Sequence, residues 1–174
     1  MSSTSKDHLY SKTQYTLLYY TSWLALFNGL HCLYRGYIDI ACCTLAVFFT
    51  SILYWREPSS TSWRKYLDMT VSKCALLYQI FRAYNAEFAT KCYSLVALAT
   101  VFYICSSYCF RRGAYWKSVG FHFLVHILLN AGNILLCSGY IPSIDENAVL
   151  FYPYGFLGLA FLAFAGIAAA YYIV

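Results

Sequence analysis

Charge is what this sequence has least of. Asp, Glu, Lys and Arg make up 11% of its 174 residues and hydrophobic residues 61%, whereas an ordinary soluble domain is about 25% charged. A polar inventory this sparse excludes water as the sole solvent. The chain also lacks any basic run interleaved with aromatic residues, so its net charge of +5 does not describe a nucleic-acid surface. The start, MSSTSKDHLYSKTQ, has no apolar core and no small-residue cleavage site, which excludes an ordinary secretory signal. It has no arginine either, which argues against a mitochondrial presequence. The first spanning helix is therefore expected to serve as its own uncleaved targeting signal. No motif recurs between the two halves of the chain.

What is present fits a bilayer. Nineteen Tyr, thirteen Phe and four Trp supply amphipathic rings that favour the membrane–water boundary. About 20 mainly apolar residues cross a bilayer, and segments near 15–35, 37–55, 67–85, 88–110, 116–138 and 148–174 qualify. The third is the weakest, because Asp68, Lys73, Gln79 and Arg82 interrupt it. The expected fold is all-α: a polar tail over 1–14, then one bundle of six transmembrane helices over 15–174. Lys6, Lys12, Arg56, Arg64, Lys65, Arg111, Arg112 and Lys117 fall on one side of that arrangement. Arg35 and Arg82 stand isolated on the other, with Asp145 and Glu146. Positive charge stays on the cytosolic side, so both termini are expected on the cytosol-equivalent face.

The eight cysteines lie within or at the edges of apolar segments. A disulfide framework would place them in loops, so they are read as small, packable thiols. Ser143 and Glu146 have the spacing of a capping box at the start of the sixth segment, and Pro153 is expected to bend its first turns. Ala165 with Ala169, and Gly166 with Ala170, place small residues four apart. That spacing suits a close helix crossing, inside the bundle or against another subunit. In the second connection, Trp55, Arg56, Trp63, Arg64 and Lys65 suit interfacial anchoring or contact with anionic lipid headgroups.

Polar residues inside a membrane are costly and need partners. At about 1.5 Å of rise per residue, Ser51, Asp68, Lys73, His122 and His126 share an inner layer. His31, Asp39, Lys91, Asn130 and Asn133 form an outer one. His122 and His126, four apart, face one side of their helix. Two such imidazoles can ligate zinc with Asp68 as a third ligand, and a zinc-bound water can attack an ester or amide with Ser51 donating to the oxyanion. The structural alternative has the imidazoles hydrogen-bonded within the inner layer. It pairs Asp68 with Lys73, and His31 with Asp39 or Asn130.

The order Ser51, Asp68, then His122-x-x-x-His126 resembles the seven-span membrane hydrolases that include alkaline ceramidases and the progestin/adipoQ receptors. In that pattern three histidines bind zinc beside a serine and an aspartate. The resemblance implies a zinc-dependent intramembrane lipid hydrolase, or a relative that has lost catalysis. Two departures stand out: the third histidine position, four after Ser51, is Trp55, and the chain is one span short. The leading expectation is accordingly a structural or assembly subunit, with membrane lipids and other membrane-protein subunits as partners and no cofactor. The hydrolase, with zinc, comes second, and a proton-coupled or small-solute transporter third.

Overall fold

The computed structural model describes residues 10–59 and 61–144. They form five α-helices: α1 (Lys12–Tyr34), α2 (Ile38–Trp55), α3 (Trp63–Arg82), α4 (Ala89–Arg111) and α5 (Tyr115–Ser138). These occupy the first five segments expected from the sequence. The sixth, over 148–174, lies outside the described residues. So do Asp145, Glu146, Pro153, Ala165, Gly166, Ala169 and Ala170.

Local signals set the helix ends. α1 starts inside the expected polar tail because Gln14 Oε1 accepts from the Ser11 backbone N–H at 2.9 Å, satisfying a donor that a helix start leaves orphaned. The α1 and α4 ends are Schellman turns. Tyr37 N–H reaches Cys32 O and Gly36 N–H reaches Leu33 O, while Ala114 N–H reaches Cys109 O and Gly113 N–H reaches Phe110 O. Each turn needs a left-handed residue, supplied by Gly36 at φ 83° and Gly113 at φ 72°.

Short turns make neighbouring helices antiparallel. In the bundle the packing order is α3, α2, α1, α5, α4, so the first helix sits at the centre. One end buries Cys32, Ile40, Ala41, Ala83, Ala86, Cys92, Leu136, Cys137 and Ile141; it is called the 36/139 end below. The opposite 56/113 end buries Leu18, Tyr54, Trp55 and Val119. α2, α4 and α5 are long and apolar enough to cross a membrane. α1 and α3 have similar lengths but carry more polar side chains, α3 having Arg64, Lys65, Asp68, Lys73, Gln79 and Arg82. The expectation of six spans is thus matched by composition at three helices among the described residues, with α1 and α3 running beside them.

The α1–α2 crossing is close at Gly29, where an added Cβ would lie 2.7 Å from Leu45 Cδ2. Leu45 can swing away from one methyl group but not from a branched side chain. Gly29→Leu is expected to lower stability by about 1–3 kcal/mol, as overpacking does. A thermal melt in detergent, with Gly120→Leu at an open position as the control, measures it.

Candidate functional site

The inner candidates meet in two adjoining groups. Ser51 and Trp55 are one turn apart on α2, and Asp68 lies in the second turn of α3, which Ser62 caps. Asp68 Oδ1 accepts from Ser51 Oγ at 2.6 Å and from Thr50 Oγ1 at 3.2 Å, so two hydroxyls hold this buried carboxylate. Lys73 is exposed and takes no part, which corrects the expected Asp68–Lys73 pair. Five residues turn a helix by about 500°, leaving the two side chains about 140° apart.

Beside this pair, the Trp55 ring lies 5.5 Å from the His122 ring and His122 lies 5.0 Å from His126. Trp55 is 4% exposed, so it belongs to the interior and not to the interfacial set proposed for it. His126 Nδ1 is 2.8 Å from Thr21 Oγ1. The same hydroxyl lies 2.9 Å from Leu18 O, so Thr21 joins the His126 ring to the α1 backbone. The expected neighbours Ser51, Asp68 and Lys73 are therefore not the partners of the His126 ring; its partner comes from α1. Tyr10 closes the group from below, ringed by Trp55, Phe110 and Tyr115. Burial pushes its phenol pKa up, opposed by a hydrogen bond to Ser118. Among the described residues, no three His, Cys, Asp or Glu side chains converge as metal ligands.

The outer candidates are distributed along α1, α2, α4 and α5. Asn28 Nδ2 donates to Asn130 Oδ1 at 3.1 Å, and Asn130 Nδ2 to His126 O at 2.8 Å. Asn133 Nδ2 donates to Thr44 Oγ1 at 2.9 Å, where Gln79 Nε2 also donates, at 3.2 Å. Lys91 is exposed, its ammonium 5.2 Å from the Phe88 ring centre. His31 bonds Ser138 at 3.3 Å and not Asp39 or Asn130, which are committed elsewhere. Asp39 Oδ2 accepts from Arg82 Nε at 2.6 Å and from Tyr78 Oη at 2.7 Å. Asp39 lies in the first turn of α2 and Arg82 in the last turn of α3. Each charge thus complements its own helix dipole as well as the other.

The 36/139 end also corrects the reading of the cysteines. Cys32 and Cys137 form a disulfide between α1 and α5, with Cα atoms 5.6 Å apart, inside the range such a bridge requires. Both sit in the last turn or two of their helices, so apolar surroundings did not keep them apart. Cys42, Cys43, Cys74, Cys92, Cys105 and Cys109 are free thiols. Around the bridge, Arg35 donates to Cys137 O at 3.1 Å and to Ser138 O at 2.9 Å. Tyr37 Oη donates to Gly139 O at 2.8 Å and accepts from Ile141 N–H at 3.2 Å. Arg82 Nη1 donates to Pro142 O at 2.6 Å, and Glu87 exchanges bonds with the Tyr140 backbone through its own N–H and carboxylate.

At the 56/113 end, Arg56 is exposed, Lys65 half-buried and Trp63 exposed. Arg64 bonds Ser62 and Leu53 O and lies 3.8 Å from Glu57. Searches among protein families, curated proteins and solved structures find no match to this chain.

Arg82 is the residue that the sequence most undervalued. Removing one partner of a buried ion pair costs about 3–5 kcal/mol, and the lower figure applies because Asp39 keeps 25% of its side-chain surface exposed. Arg82→Gln is expected to lose about 3 kcal/mol. The Asp39→Asn/Arg82→Gln double variant should lose less than the sum of the two single changes, as read by thermal melts of all four proteins.

Proposed function

We propose that this chain is a multi-pass integral membrane protein acting as a structural or assembly subunit, embedded in lipid and contacting neighbouring membrane proteins. One observation carries the reading: cross-helix hydrogen bonds join interior polar side chains, while large apolar side chains are exposed between two aromatic rims. Thr21–His126, Asn28–Asn130, Thr44–Asn133 and Ser51–Asp68 tie pairs of helices, which suits a bundle held in one arrangement better than a wet transport path. Phe27, Phe49, Leu98 and Val101 are exposed between the ends. Tyr34 and Tyr140 are exposed at one end, with Trp63, Tyr66, Tyr108, Tyr115 and Trp116 at the other. Those are the positions that interfacial rings occupy.

The same reading orients the chain. Lys12, Arg56, Arg64, Lys65, Arg111, Arg112 and Lys117 lie towards the 56/113 end, the cytosol-equivalent side by the positive-inside rule. The disulfide lies at the opposite end, where an oxidising compartment would preserve it. With a sixth span over 148–174, both termini fall on the basic side. Protease-accessible tags at Met1 and Val174 are expected to be cut from one side of sealed vesicles, and a tag at Asn85 from the other. Termini cut from opposite sides would end the six-span arrangement.

A second reading, a catalytically silent relative of the zinc hydrolases, is favoured by the Trp55–His122 contact. Ser51, Asp68, Trp55, His122 and His126 gather at one level of the bundle, with tryptophan beside the histidine pair where the resemblance calls for a ligand. Under this reading, Trp55→His is expected to bind about one zinc per chain, measured by elemental analysis of the purified protein, with the parent binding none. An unchanged zinc content would remove it.

A further inference from the structure

The interior ties leave one exposed stripe unexplained. Leu98, Val101, Ile104, Tyr108 and Arg112 follow at steps of three and four residues along α4 to its C-cap, so they share a face, and all five are exposed. From Leu98 to Tyr108 the rise is about 15 Å, half of a hydrocarbon core about 30 Å thick. At the polar end of the stripe, Ile104, Ser107, Tyr108, Arg111 and Arg112 line a hollow of about 360 Å³. The Arg112 guanidinium lies 5.5 Å over the Tyr108 ring, and no carboxylate pairs with it among the described residues. Arg64, by contrast, is already engaged by Glu57, Ser62 and Leu53 O.

We propose that this hollow binds one anionic phospholipid from the leaflet at the 56/113 end, its phosphate on Arg112 and an acyl chain along Ile104, Val101 and Leu98. The proposal rests on the membrane reading above. A planar guanidinium matches two phosphate oxygens at once, and its cation–π contact with Tyr108 restrains the side chain before the lipid arrives, which lowers the ordering cost of binding. A choline headgroup would bring its own cation against Arg112, so the hollow selects net negative lipid. The apolar stripe matches the depth of one leaflet, which commits the site to a lipid and not to a free anion.

Native mass spectrometry of the full chain in detergent, titrated with phosphatidylglycerol or phosphatidylcholine, tests the site. One phosphatidylglycerol is expected to be retained in preference to phosphatidylcholine, and inorganic phosphate should not displace it. Arg112→Gln is expected to weaken retention about fivefold, the equivalent of about 1 kcal/mol for one interfacial basic residue. Tyr108→Ala, which keeps both arginines, should also weaken it, and Lys65→Gln should not. Equal retention of both lipids, displacement by inorganic phosphate, or an equal loss in Lys65→Gln would each overturn the proposal. Resistance of the same variants to alkaline extraction from membranes reports separately on the membrane reading, so the two can fail independently.

Discussion

A helix ends with carbonyl oxygens that its own backbone cannot satisfy, and at the end of α5 this constraint organises the whole 36/139 end. Cys137, Ser138, Gly139 and Pro142 offer oxygens in a region where the neighbouring helices bring mostly apolar surface. Arg35 from the end of α1, Tyr37 from the start of α2 and Arg82 from the end of α3 take them one after another. Each of those side chains can do so only if its helix arrives at the right height and rotation. Asp39 then fixes the Arg82 guanidinium, and the Cys32–Cys137 bridge fixes α1 against α5. Two of the chain's few arginines, Arg35 and Arg82, are therefore spent on the carbonyls at and just beyond the end of α5.

The 56/113 half of the bundle obeys the same economy with neutral groups. Asp68 has two hydroxyl donors, His126 has Thr21, and His122 is packed among the rings of Trp55, Tyr103 and His126. Polar side chains in this half link neighbouring helices pairwise. Removing any one would leave its partner unsatisfied inside an apolar bundle, a cost larger than the net worth of the bond itself. That asymmetry explains how a few hydroxyl, amide and imidazole contacts can specify one arrangement of largely featureless helices.

The helices were legible because length and apolar run are properties of one segment at a time. The weakness of α3 was legible too, since its charges interrupt the run. Partner choice was not, because it depends on the rotation of each helix about its axis. Asp68 and Lys73 looked like neighbours by spacing yet point about 140° apart, and Arg82 looked isolated because Asp39 is on another helix. Thr21 carried no signal, since an unionised hydroxyl in an apolar run is ordinary until it is seen to face a histidine. Trp55 resembled an interfacial anchor by its basic neighbours, while its spacing from Ser51 already placed it on the buried face. The disulfide was missed because helix-borne cysteines were weighed as packing residues, whereas two helix ends can bring them as close as two loops.

The central position of α1 has a consequence for how the protein is made. Its α5-facing side presents Thr21, Asn28 and Cys32, yet α5 is synthesised only after α2, α3 and α4. Chains emerge from the ribosome N-terminus first, so for most of translation those groups are without these partners. That face of α1 therefore waits for its partners until residues 115–138 have been made. The first helix made is thus completed by the last one described, and its polar contacts close late in synthesis.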